Sequence, residues 1–346
     1  MIREVEIGDF LNLIEMGFPT IDARSESEYS VGHIPGSYNI PLLNDEHRAA
    51  VGTAYKQMGR EAAVELGFKL VGPLFFEKFK SLQQKAGKEK KLLIYCWRGG
   101  MRSNILAWMM HLADYEVYVL KGGYKAFRNW ALKYFEAPHS FIVLGGMTGS
   151  GKTEILRILM TKGEKVLDLE HLASHRGSAF GHIDMPPQPT NEHFENLIAI
   201  QLFRYHDLKP IWVENESRKI GRLKIPDALF DQLIKAPTVV VEVPESIRKR
   251  RVLDEYGKYD TIALSEATRK LQKRLGNERM NSALNALHNK DLNKWLDTVL
   301  PYYDKTYQYD LEKRNSTVLF VPFDWNNIDE SISKLFDLSM KLWKND

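Results

Sequence analysis

A glycine-rich segment directly after an apolar run constrains the fold of this chain more than any other feature. Residues 146–153 read GMTGSGKT, which matches the pattern Gly-x4-Gly-Lys-Ser/Thr, and residues 141–144 before them read FIVL. The motif needs this buried strand before it and a helix after it, here from about residue 152. Backbone N–H groups of such a loop surround a phosphate, while its lysine reaches the outer phosphates and its threonine binds Mg²⁺. We therefore predict a phosphate site formed by Gly146, Gly149, Gly151, Lys152 and Thr153.

Short apolar runs alternate with helical patterns along the whole chain. Strands are predicted near residues 21–23, 37–41, 91–95, 116–120, 140–144, 165–169, 210–214, 238–243 and 316–321, with helices at 103–112 and 124–134. Such alternation predicts parallel sheets covered on both faces, so the fold class is α/β. We place two domains at residues 1–136 and 137–346. The first has a mostly helical insertion at about 44–90, and the second a helical C-terminal part with a basic region at about 246–310.

The composition is that of a soluble globular protein. The chain has 48 Lys and Arg against 45 Asp and Glu, a net charge of +3, so bulk charge neither demands nor excludes a nucleic-acid partner. No apolar run approaches the ~20 residues that span a bilayer. The first residues, MIREVEIGDF, do not form a signal peptide. We therefore expect a cytoplasmic protein with no membrane partner.

The chain has a single cysteine, Cys96, which excludes an internal disulfide, a zinc site of several thiolates and an internal resolving thiol. It follows the apolar residues 92–95 and precedes WRGGMRS, after which the pattern becomes helical. Loop N–H groups, a helix N-terminus and two arginines would all stabilise an anion there, so we expect a thiol pKa below ~8.5. We predict Cys96 as the catalytic residue, in an anion-stabilising loop of Arg98, Gly99, Gly100 and Arg102.

The spacing Cys-x5-Arg-Ser also occurs in cysteine-dependent phosphatases, but the flanking segments favour another family. Residues 22–29 (DARSESEY), 32–41 (GHIPGSYNIP) and 120–124 (LKGGY) resemble the rhodanese family in the same order. The resemblance covers about 110 residues around an insertion, and it implies a cysteine that carries a transferable chalcogen atom. We interpret Asp22, Arg24 and His33 as scaffold residues that brace and shape the turn.

P-loop proteins commonly place a magnesium-binding acid at the end of another strand. Asp168 and Glu170 lie at the end of one predicted strand, after the apolar residues 166–167, and Glu214 and Glu216 lie at the end of a second, so these four are candidate Mg²⁺ or substrate ligands. Ordinary strand-end carboxylates would give the same pattern. The polar segment 168–178 (DLEHLASHRGS) favours a substrate pocket over zinc, because no thiolate accompanies its histidines. No firm metal site is predicted.

Basic clusters in the second domain are candidate RNA contacts, because phosphates attract cations and unstacked bases attract flat rings such as the tyrosines at 302, 303, 307 and 309. Basic helices that simply face water would look the same. The candidate residues are Arg176, Arg218, Lys219, Arg222, Arg248, Arg250 and Arg251.

A rhodanese-like domain followed by a P-loop NTPase-like domain resembles the tRNA 2-selenouridine synthase family over essentially the whole chain. Further supporting segments are 51–57 (VGTAYKQ), 175–181 (HRGSAFG) and 212–217 (WVENES). The resemblance implies that selenium from selenophosphate replaces sulfur at the 2-position of the wobble uridine in tRNA. It also implies that a geranyl group from geranyl diphosphate is first placed on the 2-thiouridine sulfur. We expect no tightly bound cofactor, a monomer, and a selenophosphate-supplying enzyme as a candidate partner.

This resemblance fits the residues. The P-loop would hold a diphosphate, with Lys152 neutralising the leaving pyrophosphate, although a nucleotide or an RNA phosphate would satisfy the same donors. Cys96 would carry selenium as a perselenide. Two alternatives are a P-loop kinase of a small metabolite with a rhodanese regulatory module, and a non-catalytic RNA-binding scaffold. The intact Cys96 loop disfavours the scaffold.

Overall fold

The computed structural model describes residues 1–205, 209–314 and 316–344. The chain divides into an N-terminal unit, residues 1–134 with 195–200, and a C-terminal unit, residues 135–194 with 201–346. Each unit is built on a five-stranded parallel sheet with helices, which confirms the predicted α/β fold class. Among the described residues, none of the helices combines the length and the apolar character needed to cross a membrane.

The N-terminal sheet has the strand order β1-β5-β4-β2-β3, and every neighbouring pair is parallel. Its strands are β1 (Ile2–Val5), β2 (Thr20–Asp22), β3 (Tyr38–Asn39), β4 (Lys91–Tyr95) and β5 (Glu116–Leu120). The central strand β4 is almost wholly buried, as its apolar run predicts. β1 is absent from the predicted strands because it lies at the sheet edge, where its side chains are mostly exposed and mixed in character.

The helices of this unit are α1 (Ile7–Glu15), α2 (Glu26–Val31), α3 (Asp45–Val71), α4 (Phe75–Ala86), α5 (Met101–His111) and α6 (Gly123–Tyr134). The predicted insertion consists chiefly of α3 and α4. The Asn44 side chain caps α3 by accepting a hydrogen bond from the His47 amide. Gly59 has a φ of 88°, so α3 bends there into two helical segments.

The C-terminal sheet has the order β12-β11-β6-β8-β7, again with parallel neighbours. Its strands are β6 (Phe141–Gly145), β7 (Lys165–Leu167), β8 (Ile211–Glu214), β11 (Thr238–Glu242) and β12 (Val318–Pro322). A short antiparallel pair, β9 (Lys219–Ile220) and β10 (Leu223–Lys224), stands apart from it and was not predicted. Because β6 is the central strand, the glycine-rich loop that follows it opens at the middle of the carboxyl edge of the sheet.

Ten helices complete the described part of the chain. They are α7 (Lys152–Thr161), α8 (Leu169–Leu172), α9 (Asn191–Phe203), α10 (Asp227–Lys235), α11 (Glu245–Tyr256), α12 (Thr261–Arg269), α13 (Gln272–Leu275), α14 (Asn277–His288), α15 (Leu292–Glu312) and α16 (Ile328–Lys344). Helices α11 to α15 form the predicted helical C-terminal part. They pack around a separate apolar core that includes the buried side chains of Phe180 and Trp295.

Candidate active site

Cys96 lies in the turn between β4 and α5, as predicted. Its Sγ accepts a hydrogen bond of 3.2 Å from the Gly100 amide and lies 3.3 Å from the Ser103 hydroxyl. Burial of the side chain, which is 3% exposed, would raise the thiol pKa. The contacts with Ser103 and Gly100 and the charge of Arg102 outweigh it, so the pKa of Cys96 is lowered. The loop therefore favours a thiolate, the nucleophilic form of cysteine.

The Cys96 loop packs directly against the start of α6. The amide of Tyr124 donates to the Cys96 carbonyl oxygen at 2.8 Å. Gly123 has a φ of 58°, and a Cβ atom there would lie 2.2 Å from the same oxygen. Because only glycine fits this contact, the LKGGY segment and the cysteine loop depend on each other for their conformation.

The two arginines of the loop differ in their surroundings. Arg102 Nη1 donates to Glu28 Oε2 at 2.6 Å, and Arg48 Nε is 3.0 Å from the same oxygen. Burial alone would raise the pKa of Glu28, but Arg102 and Arg48 lower it, so the carboxylate stays charged. Arg98 is exposed, and within the described ranges it has no ion-pair partner. Arg102 thus acts on the thiol from a fixed position, while Arg98 is available to an incoming anion.

Asp22, Arg24 and His33, which we interpret as scaffold residues, make contacts inside the fold. Arg24 and Asp22 are fully buried and paired, with Arg24 Nη2 2.7 Å from Asp22 Oδ2 and 2.6 Å from the Gly32 carbonyl oxygen. The guanidinium group of Arg24 also stacks 3.7 Å from the ring centre of Tyr124. The His33 ring stacks on Tyr29 at 3.7 Å. These contacts engage both carboxylate oxygens of Asp22 and the Nε and Nη2 groups of Arg24 inside the fold, and they support a structural role.

The predicted phosphate loop follows β6 and leads into α7. Lys152 Nζ donates to the Gly146 carbonyl oxygen at 2.9 Å, and Thr153 Oγ1 donates to Glu170 Oε2 at 3.1 Å. Gly146, Gly149 and Gly151 all have positive φ values, and successive turns of this kind allow loop N–H groups to point to one anion. A cavity of about 650 Å³ surrounds this loop. The arrangement suits a phosphate held by backbone amides and Lys152.

The four predicted acids share one electrostatic environment beside Lys152. Burial and the charges of Asp168 and Glu170 raise the pKa of Glu214 well above its usual range. Burial and Glu170 raise the pKa of Glu216 to about 8, against the opposing effect of Lys152. Burial also raises the pKa of Glu170, which Lys152 opposes as well. At neutral pH Glu216 is therefore largely protonated.

These acids fit a divalent cation. The buried Oε1 of Glu214 has no hydrogen-bond partner in the described part of the chain, and Glu170 already contacts Thr153. Carboxylate and hydroxyl oxygens are the donors that Mg²⁺ prefers, completed by substrate phosphates. Over residues 1–205, 209–314 and 316–344, no three His, Cys, Asp or Glu side chains form a ready metal-ligand group. A bound Mg²⁺ would thus use Thr153, these carboxylates and phosphate oxygens together.

The predicted RNA contact at Arg248 is wrong. The Arg248 side chain is buried and forms two hydrogen bonds of 2.9 Å to Asp304. A further hydrogen bond of 3.0 Å reaches the Thr148 carbonyl oxygen in the phosphate loop. Because all these partners are internal, Arg248 supports the loop and presents no charge to RNA.

Five of the other six predicted basic residues fall into two groups. Arg176 and Arg251 line the P-loop cavity, where Arg176 donates to the Tyr259 hydroxyl at 2.5 Å and Arg251 pairs with Glu154. The second group is at the β9–β10 pair: Arg218 pairs with Asp227, Arg222 Nη2 donates to the Gln188 carbonyl oxygen at 2.6 Å, and Lys219 is exposed. Arg250 is exposed on α11. Lys219 and Arg250 have no ion-pair partner in the part of the chain that is described.

Several residues of these sites are absent from the predicted set. Glu28 and Ser103 contact the Cys96 loop, and the sequence signals only Ser103, as the residue after Arg102. At the other site, Trp325 donates to the Ser150 carbonyl oxygen at 3.2 Å, and its ring lies 3.6 Å from the Arg251 guanidinium group. Tyr256, which is also absent from that set, lines the same cavity together with tyrosines 302, 303 and 307, which the sequence offers as stacking rings. Glu28 lies within the segment 22–29, but no local pattern predicts its pairing with Arg102, and none marks Trp325, because both residues reach their partners through the tertiary fold.

Comparison with known proteins agrees with both domains. The family described as "tRNA 2-selenouridine synthase AAA domain" matches residues 139–335, and the family "Rhodanese-like domain" matches residues 6–129. Curated relatives named tRNA 2-selenouridine synthase include one from Sulfurovum sp., 37% identical over 90% of this chain and 94% of its own length. One from Bdellovibrio bacteriovorus is 36% identical, and one from Shewanella piezotolerans is 33% identical, each over 92% of this chain and 96% of its own length. The chain therefore belongs to the tRNA 2-selenouridine synthase family.

Proposed function

We propose that this chain replaces the 2-sulfur of a wobble 2-thiouridine in tRNA by selenium, through a geranylated intermediate and with selenophosphate as the selenium donor. The names of its relatives support the conversion to 2-selenouridine in tRNA. The observation that carries the chemistry is the buried Cys96 thiol, whose pKa is lowered at the start of a helix. The same chain holds an intact phosphate loop, as a diphosphate substrate requires.

The first step is alkylation of the thiouridine sulfur. The sulfur attacks the first carbon of geranyl diphosphate, the carbon–oxygen bond breaks, and pyrophosphate leaves with the electron pair. N3 of the base releases its proton to water, which leaves a neutral alkylated base. Lys152 and the loop amides would neutralise the charge that develops on pyrophosphate. Thr153 and the carboxylates at 170, 214 and 216 would hold a Mg²⁺ ion, which supplies further charge neutralisation at the phosphates.

The second step exchanges the alkylated sulfur for selenium, and its electron balance limits the role of Cys96. Selenophosphate contains fully reduced selenium, whereas the predicted perselenide contains selenium that is two electrons more oxidised. A perselenide on Cys96 would therefore need a separate oxidant. The chain has no second cysteine that could supply an oxidised thiol.

A route without an oxidant uses Cys96 as the nucleophile. The Cys96 thiolate attacks C2 of the geranylated base, the C2–S bond breaks, and geranylthiolate leaves and takes up a proton. The selenium of selenophosphate then attacks C2 and displaces the Cys96 thiolate. Water finally cleaves the phosphorus–selenium bond, which releases phosphate and 2-selenouridine. Gly100, Ser103 and Arg102 would stabilise the thiolate both as attacking and as leaving group.

The test is reconstitution with purified protein, 2-thiouridine tRNA, geranyl diphosphate and selenophosphate, followed by mass spectrometry of the tRNA nucleosides. We expect 2-selenouridine from the wild type, and geranylated tRNA without 2-selenouridine from Cys96→Ser. Normal selenouridine formation by Cys96→Ser would overturn the role of Cys96. Turnover of ATP with a small metabolite and without tRNA would favour the kinase alternative. The monomeric state, the cytoplasmic location and the selenophosphate-supplying partner stay predictions.

A further inference from the structure

A cavity of about 770 Å³ lies in the N-terminal unit, between the insertion and α5. Its lining is largely apolar and includes Val51, Val64, Val71, Phe75, Met101 and Ile105. A volume of this size is typical of sites that bury a small organic ligand. Selenophosphate is a small anion and does not need an apolar pocket. The lining of this cavity therefore suits a different, apolar ligand.

The rim of this cavity exposes large apolar side chains. Tyr55 is 60% exposed, Phe68 52% and Met101 46%. Exposed apolar groups that line one contiguous concave surface mark a binding site for an apolar partner. Both segments of α3 contribute to the wall, because the bend at Gly59 turns them around the same space.

The cavity adjoins the Cys96 loop. Met101, Arg102 and Ile105 line it, and they form the first turns of α5, directly after Gly100, which donates to Cys96 Sγ. In the exchange step, the attacking and the leaving atoms are bonded to the same carbon of the base. The first carbon of the leaving alkyl chain therefore lies within a few Å of the nucleophile, and the chain needs an apolar volume close to Cys96.

The charges at the cavity suit a tRNA substrate. Arg48, Lys56, Arg60 and Arg102 line it, and Arg48 and Arg102 share Glu28 as their acidic partner. Lys56 and Arg60 are exposed and form no ion pair with any described residue. Two such cations beside an apolar cavity complement the phosphates that flank an alkylated nucleotide.

We propose that this cavity holds the geranyl chain of the geranylated tRNA during the exchange step, and then holds the departing geranylthiol. This inference rests on the proposed function and locates one substrate group of that reaction. The P-loop cavity is less suited to binding the geranyl group, because polar and charged side chains dominate its wall. The two chemical steps thus divide between a phosphate site and an alkyl site, each in its own unit.

The first experiment fills the cavity and uses an adjacent position as its control. Ala49 and Ala50 are both exposed on α3, but only Ala49 lines the cavity. With geranylated tRNA and selenophosphate supplied, we expect kcat/KM for 2-selenouridine formation to fall at least tenfold in Ala49→Trp and to stay within twofold of wild type in Ala50→Trp. Geranyl transfer from geranyl diphosphate should be unchanged in both variants.

The possible outcomes distinguish an error in the proposed function from an error in the assignment of the cavity to the geranyl group. If wild type fails to convert geranylated tRNA, the proposed function is wrong. If wild type converts it and Ala49→Trp does so equally well, only the pocket assignment is wrong. Loss of geranyl transfer with a normal exchange step would assign the cavity to geranyl diphosphate and overturn the proposal.

A chain-length series keeps the test independent of the folding of a variant. Burial of each methylene contributes about fourfold to binding, so wild type should convert S-geranyl tRNA with a kcat/KM at least tenfold above that for S-methyl tRNA. Ala49→Trp should reduce this ratio to below threefold. Equal rates of wild type on both substrates would contradict an alkyl site at this cavity.

Discussion

The Ser103 hydroxyl lies 3.3 Å from Cys96 Sγ and also donates to the Gly100 carbonyl oxygen at 3.0 Å. Its hydrogen can turn from that carbonyl to the sulfur when the thiol ionises, so the hydroxyl stabilises the thiolate more than the thiol. Ser103 lies in the first turn of α5, and its side chain is fully buried. The nucleophile is therefore supported from inside the fold, on the side away from solvent.

Ser103→Ala should raise the pKa of Cys96, because the thiolate loses a hydrogen bond while the thiol loses little. One such bond is worth about 1 kcal/mol, which corresponds to a rise of roughly 0.7 pH units. The pH dependence of Cys96 alkylation by iodoacetamide measures this, and its midpoint should move to higher pH. Ser30→Ala, at an exposed serine on α2, is the matched control and should leave the midpoint in place. An unchanged midpoint in Ser103→Ala would contradict the stabilising role.

Lys152→Ala should impair geranyl transfer and spare the exchange step. Removal of one charge that stabilises a leaving diphosphate commonly costs about a hundredfold or more in rate. We expect that loss with 2-thiouridine tRNA and geranyl diphosphate, measured by nucleoside mass spectrometry. Lys162→Ala, just after the end of the same helix and paired with Asp329, is the control. Normal geranylation by Lys152→Ala would show that the phosphate loop serves another ligand.

The sequence predicts those parts of the molecule that follow from local pattern. Strands β4 and β6 are apolar because they are central in their sheets, so both are predictable from the sequence. The turns after them are predictable because glycines follow each apolar run directly. The convergence of Glu170 and Glu216 is also predictable, because the carboxyl ends of parallel strands meet at one edge. The Glu28–Arg102 pair joins residues 74 positions apart in the sequence, so no local pattern predicts it. The cavity beside Cys96 arises from the bend of α3 at Gly59 and has no signature in sequence spacing.

Arg248 and Arg250 should respond differently to loss of charge, although they are two residues apart in one basic cluster. Arg248→Gln leaves Asp304 partly buried without its partner and should destabilise the protein by about 3 kcal/mol, measured by denaturant unfolding. Arg250→Gln should leave stability unchanged. If Arg250 contacts tRNA phosphate, this variant should also lower the slope of log affinity against log salt by roughly 0.7 to 0.9. An unchanged slope would show that Arg250 does not contact a tRNA phosphate.

Glu216→Gln should remove a pH dependence of stability. The pKa of Glu216 is about 8 in the folded protein, above the ~4.3 of a free side chain. Between these values the folded state binds more protons than the unfolded state, so wild-type stability falls as pH rises through this window. Glutamine resembles the protonated acid and does not titrate. The Tm of Glu216→Gln should therefore match wild type near pH 5 and exceed it increasingly toward pH 8 without added metal.

Mg²⁺ with pyrophosphate should reverse this advantage. A cation favours the ionised carboxylates, so it should raise the Tm of wild type at pH 8 more than that of Glu216→Gln. Asp231→Asn, at an exposed acid on α10, is the control and should follow wild type under all conditions. A Tm difference between Glu216→Gln and wild type that does not change from pH 5 to pH 8 would show that Glu216 is ionised throughout. The acids beside Lys152 would then form a permanently charged site that needs no cation to release protons.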